Sequence, residues 1–130
     1  MNVEQLEKFN EQYDWIDQKS SYIFAKIEKL EQEFKASKYR EKHYYDRFEF
    51  RVDIINIHGS YSYQNCAGMT DYTLTFNELV NGDEYLLAYE QRLREAQITR
   101  KEKEDERQLL LEEAEYKQFL KLQEKYSDRG

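Results

Sequence analysis

Proline is absent from the 130 residues, glycine occurs four times and cysteine once. Each scarcity excludes something. A chain with so few breakers has no Pro- or Gly-rich linker and can run long helices without interruption. One cysteine permits no internal disulfide. His43, His58 and Cys66 lack the paired ligand spacing of a structural zinc site. Glu-x-x-His pairs, Gly-rich phosphate loops and dinucleotide fingerprints are all missing, so no metal or cofactor is implied. No segment approaches a membrane span, and Met1 is followed by charge rather than an apolar run. A soluble, cytoplasmic, reducing setting is the expectation, with no membrane partner. Positive charge is in deficit too. Twenty Lys and Arg stand against 27 Asp and Glu, a formal charge of −7, spread along the chain without blocks of one sign. Direct nucleic-acid binding is not expected from that balance.

What is present is periodicity. Leu6, Phe9, Tyr13, Ile16, Ser20, Ile23, Ile27, Leu30 and Phe34 recur in steps of three and four. Such spacing predicts one amphipathic helix over residues 1–42 with a coiled-coil-like seam, weakened only at Ser20. The period then changes to two. In FEFRVDI, Phe48, Phe50, Val52 and Ile54 share a face; Ile55 and Ile57 fall on the other parity, which suggests a bulge or a change to burial on both faces. DYTLTF alternates again, placing Tyr72, Leu74 and Phe76 together. Residues 46–77 are therefore expected to form an antiparallel β-hairpin or a three-stranded sheet. Asn81-Gly82 signals a turn with Asp83 as N-cap, and a long helix is predicted over 83–126.

These elements imply an α+β fold in a single domain, 1–130, with two long antiparallel helices flanking the small sheet. Antiparallel return places Leu86–Ala96 opposite Leu30–Ser20 and the charged Thr99–Gln108 opposite Ile16–Leu6. The second juxtaposition closes no core. Leu109, Tyr116, Phe119, Leu122 and Tyr126 would overhang the first helix. Two unmatched apolar stripes point to a homodimer or a partner.

Chemistry gathers in HGSYSYQNCAGMTDY, between the strands, which holds His58, Cys66, Tyr61 and Tyr63. A Cys–His pair needs hydrogen-bond reach and an orienting third group, and no nucleophile motif frames Cys66. An enzyme built on His58 and Cys66 is the third reading, and a non-enzymatic role is preferred. Twelve tyrosines favour protein recognition, since tyrosine offers rigid contact area with a polar tip. Tyr61 and Tyr63, in the loop, are the leading contact candidates; Tyr13, Tyr89, Tyr116 and Tyr126 sit at packing positions. Glu4, Glu7, Glu11 and Asp14 form an acidic row across from the seam. Such a row can occupy a phosphate-binding channel, or serve as a solvated helix face near an N-terminus.

The order of NCAGMTDYTLTF, the charged KEKEDERQ helix and the terminal EYKQFLKLQEKY resembles small accessory proteins of bacteriophages and mobile elements, over roughly Phe48 to Tyr126. That resemblance implies a class of role and no catalytic residue. Members act stoichiometrically on host machinery, anti-CRISPR and other anti-defence inhibitors among them. The expectation is a binding module that blocks a nucleic-acid or partner site on a host protein or nucleoprotein complex. The alternative is a homo-oligomeric coiled-coil scaffold.

Overall fold

The structure, a computed structural model, describes residues 1–34, 42–63 and 66–127, with Tyr63 described through its backbone alone. Six elements follow in order: α1 (Val3–Phe34), β1 (His43–Arg51), β2 (Ile54–Tyr63), β3 (Cys66–Thr75), α2 (Phe76–Val80) and α3 (Gly82–Ser127). The fold class is α+β, as expected: long helices and a three-stranded antiparallel sheet in the order β1-β2-β3. The chain separates into two units, Met1–Leu93 and Arg94–Gly130. No helix among the described residues is long and apolar enough to cross a membrane.

The helix starts where its end groups find partners. Asn2 Oδ1 accepts from the Gln5 amide at 2.8 Å and Gln5 Oε1 accepts from the Asn2 amide at 3.0 Å, a reciprocal cap. From there the three-four spacing runs to Phe34; the predicted extension to residue 42 lies mostly outside the described residues. β1 begins at His43, three residues before the expected start.

The sheet departs from expectation at one place with large consequences. Val52 and Asp53 form a two-residue turn, so Arg51 pairs with Ile54, Phe50 with Ile55 and Phe48 with Ile57. The parity change at Ile55 is therefore a chain reversal and not a bulge. The actual irregularity lies between Tyr45 and Arg47, where Asp46 is the extra residue. β2 and β3 then pair continuously from Ile54↔Thr75 to Tyr63↔Cys66. His58, Tyr61 and Tyr63 stand on β2, in the span expected to be a long loop with at most a short YSY strand inside it.

One sheet face is apolar and α1 covers it. Ile23, Phe24 and Ile27 of α1 pack with Phe48, Ile55, Ile57 and Leu74, joined by Leu79 and Leu86. Ile23, Ile27, Ile55, Ile57 and Leu74 are fully buried. Removing each such side chain from water contributes about 1.5–3 kcal/mol, so this layer dominates stability. Phe24 lies over Gly59, where any side chain would strike its ring. It meets Tyr45 at 6.1 Å and Tyr72 at 5.5 Å between ring centroids. Ser20, the weak position of the seam, is also fully buried, with Tyr45 beside it.

α2 was not expected. Thr75 caps it: its hydroxyl accepts from the Glu78 amide at 3.2 Å while Glu78 accepts from the Thr75 amide at 2.8 Å. Asn81 ends α2, and Gly82 opens α3, so Asp83 is not the N-cap. Gly82 abuts α1; a Cβ there would come within 2.9 Å of Lys19 Cε and 3.1 Å of Ile23 Cδ1. Asp83 accepts from the Tyr22 hydroxyl at 3.3 Å, and farther along both helices Tyr89 donates to Glu31. Both sets of contacts advance together, so the start of α3 runs in the same sense as α1. The antiparallel expectation is reversed for a topological reason. Three strands return the chain to the end where α1 began, whereas a two-stranded hairpin would have left it at the other.

Beyond Leu93 the helix continues through the charged Thr99–Gln108 to Ser127, and every residue from Arg94 to Ser127 is exposed. Side-chain pairs at i,i+4 spacing along such a helix add only about 0.2–0.5 kcal/mol each. Those pairs are small beside the core terms.

Two consequences follow for stability. Gly59→Ala meets the Phe24 ring and also the Tyr44 carbonyl oxygen, at 2.7 Å, which is backbone and cannot swing aside. A loss of about 1–3 kcal/mol is expected from urea unfolding, and more if the sheet must shift. Burial, and then hydrogen bonding to Asp17 and Glu31, push the Tyr45 and Tyr89 phenols above their ordinary value. The unfolded chain ionises them from about pH 10 while the folded chain keeps the protons. Stability is therefore full below about pH 10 and falls as pH rises through the alkaline range. Urea midpoints across that range should decline less steeply in Tyr45→Phe/Tyr89→Phe than in the parent.

Candidate functional site

The predicted Cys–His pair is not brought together. His58 pairs with Asp71, five residues along β3 from Cys66, so the two lie roughly 17 Å apart along the sheet. The odd offset also puts them on opposite faces. Cys66 is exposed and free. His58 instead stands on the polar sheet face and is only 8% exposed. Its Nδ1 is 2.5 Å from Asp71 Oδ1 and its Nε2 is 3.1 Å from Glu49 Oε2. One imidazole on β2 thus links carboxylates on β3 and β1. Arg47 Nη1 lies 3.9 Å from Glu49 on the same face. Glu49 gave no functional signal in the sequence, because its partnership with His58 exists only through the β1–β2 register.

Tyr61 has a structural use. Its ring lies over Gly68 and 4.6 Å from the His43 ring, whose Nδ1 hydrogen bonds with Thr70 Oγ1. Tyr63 is opposite Cys66 in the ladder. Several other tyrosines tie elements together at the edges of the core. Tyr45 donates to Asp17 at 2.6 Å and Tyr72 donates to Glu28 at 2.8 Å. Tyr13 packs on Phe48 at 4.9 Å.

An exposed apolar surface lies elsewhere, at the start of α1. Every residue from Met1 to Trp15 is exposed, including Val3, Leu6 and Phe9 of the seam. Tyr13 carries that stripe to Phe48; Phe48 meets Phe50 at 5.4 Å, and Phe50 meets Phe76 at 6.0 Å. Phe50 and Phe76 are 52% and 45% exposed, so exposed rings reappear on the far side of the buried Phe48 and reach α2. Glu4, Glu7, Glu11 and Asp14 lie exposed on the same helical turns. At helical spacing, Glu7 and Asp14 border the apolar stripe, while Glu4 and Glu11 lie farther round. Phe50 and Phe76 were legible only as strand positions; the turn at Val52 and the cap at Thr75 bring them together.

A groove of about 450 Å³ also runs between α1 and the first turns of α3, with Leu30 and Leu86 in its floor. Lys26, Lys29, Glu33 and Glu90 rim it with both signs of charge and supply no convergent polar set. No cluster of three or more metal-ligating side chains is assembled among the described residues.

The His58 bridge makes a sharp expectation. His58→Ala leaves Glu49 and Asp71 facing each other across the space the ring filled. Unfolding in urea should show a loss of about 1–3 kcal/mol, whereas Cys66→Ser should stay within about 0.5 kcal/mol of the parent. Compared with known proteins, the chain matches no family model, no curated protein and no solved structure, so its role is argued from this surface alone.

Proposed function

We propose that the chain is a non-enzymatic binding protein that docks on another protein through the N-terminal half of α1. The observation that carries this is the exposed stripe Val3, Leu6, Phe9 and Tyr13, continued by Phe50 and Phe76, on a helix whose remaining surface carries Glu7 and Asp14 nearer the stripe and Glu4 and Glu11 on the far side. Aromatic side chains on a rigid helix lose little conformational freedom on binding and make good anchors. Glu4, Glu7, Glu11 and Asp14 select a partner whose surface is basic beside an apolar notch. Such surfaces occur where proteins hold nucleic-acid phosphates, because carboxylates and phosphates draw the same Arg and Lys contacts.

The partner is thus a nucleic-acid-handling protein, and binding would block its nucleic-acid site. That is the mode of the phage anti-defence inhibitors that the sequence resembles, a CRISPR-type nucleoprotein being one suitable target. Nucleic acid itself is a poor ligand. On the polar sheet face Arg47 is beside Glu49, and Asp46 and Asp71 stand close by.

Affinity capture from a bacterial lysate tests this with three variants beside the parent: Glu4/Glu7/Glu11→Lys, Phe9→Ser/Phe50→Ser and Tyr61/Tyr63→Ala. The expected captured species is a nucleic-acid-binding protein, released by competing DNA or RNA and by high salt, which shortens the screening length from about 10 Å to about 3 Å. It should be lost with the first two variants and retained with the third. Capture that survives charge reversal and molar salt would sink the acidic-face assignment. Loss confined to the Tyr61/Tyr63 variant would move the site to the β2–β3 end.

A further inference from the structure

The second apolar stripe belongs to Arg94–Gly130, which has no buried residue among those described. Leu109, Tyr116, Phe119 and Tyr126 are 59–66% exposed. They stand at alternating seven- and three-residue steps, the a and d positions of a heptad seam whose remaining members are Glu112 and Gln123. Leu120 and Leu122 widen the seam on either side.

We infer that this segment is the interface of a two-fold, antiparallel homodimer, with a second copy of the same helix as its occupant. The seam is self-complementary only in that sense. Antiparallel pairing matches an a position with a d position, which sets Leu109 against Tyr126 of the second copy and Tyr116 against Phe119. The two polar members also meet, so that the Gln123 side-chain amide donates to the Glu112 carboxylate. The two-fold axis repeats each layer and yields six. An in-register parallel pair would instead set Glu112 against Glu112, like charge on like charge.

Glu113 and Glu115 border the seam at its e and g positions, as Leu120 and Leu122 do one heptad later, while Lys117, Lys121 and Lys125 lie on the outer face of the helix. A two-fold contact of this kind closes on itself and does not propagate into a filament. The inference does not depend on α1 docking a partner, because it uses none of the same residues.

Sedimentation equilibrium on the full chain, at concentrations up to about 100 μM, should show a dimer. Tyr116→Glu/Phe119→Glu should raise its dissociation constant roughly a hundredfold or more, as loss of central aromatic anchors does. The near-ultraviolet spectrum of the Met1–Leu93 core should not change. Cross-linking in a Cys66→Ser background then tests the sense. A mixture of Leu109→Cys and Tyr126→Cys chains should form disulfide-linked heterodimers, while Leu109→Cys alone should not link to itself. A monomer at the highest concentration, a dimer indifferent to the Glu substitutions, or self-linking of Leu109→Cys would each overturn the assignment.

Discussion

Phe24 touches all three strands at once, and the arrangement of Met1–Leu93 depends on that contact. Its ring sits on the bare backbone of Gly59 in β2, flanked by Tyr45 from β1 and Tyr72 from β3. A three-stranded sheet with one apolar face needs a cover, and a helix can lie close only where a strand offers no side chain. Gly59 is that place. Ile23 and Ile27 then fall on the sheet to either side of the ring, and Gly82 is brought against Ile23 where α3 begins. Sequence spacing showed Phe24 only as the neighbour of a seam residue. Its importance comes from a glycine thirty-five positions away.

The number of strands decides which way the last helix sets out, and one inconspicuous turn decides the number of strands. Val52-Asp53 contains none of the Asn-Gly or Gly-first pairs that announce a two-residue hairpin. Its flanks read as one strand whose parity slips. Once the reversal is placed there, Ile55 and Ile57 join Phe48 on the inner face with no irregularity. Local helical and strand periods were thus legible, and so were α1, both long apolar stripes and the extent of α3. The sense of α3 was not, because it rests on counting reversals and one reversal lacked its usual residues. The Thr75-x-x-Glu78 cap was readable but overshadowed by the apolar pattern running into Phe76.

The tyrosine content also changes meaning. Tyr22, Tyr45, Tyr72 and Tyr89 each direct a hydroxyl to a carboxylate on another element, while the rings of Tyr45, Tyr72 and Tyr89 extend the hydrophobic layer outward. A small core with few fully buried side chains gains area this way without burying an unsatisfied hydroxyl. A high tyrosine count therefore describes how the edges of this core are finished before it describes any interface. Tyr61, engaged with His43 and Gly68, belongs partly to the same group.

The chain itself supplies a comparison for the surfaces left over. From Thr99 to Gln108 α3 is charged on all sides, which is how a solvated helix can be composed when nothing packs on it. Equally exposed turns at Leu6–Tyr13 and Leu109–Tyr126 carry large apolar and aromatic residues at regular helical spacing. Helix propensity does not ask for them, since Glu, Lys, Gln and Arg form helices as well as Leu and better than Phe or Tyr. Solubility argues against them, because contiguous exposed apolar area promotes association. The contrast between equally exposed stretches of one chain is what supports the docking face proposed on α1 and the dimer face inferred on α3. It also separates them. Acidic residues accompany the first stripe without an equal number of bases, the pattern behind the proposed basic partner, whereas the second matches apolar with apolar and Glu112 with Gln123 across a two-fold axis, the pattern behind the inferred second copy.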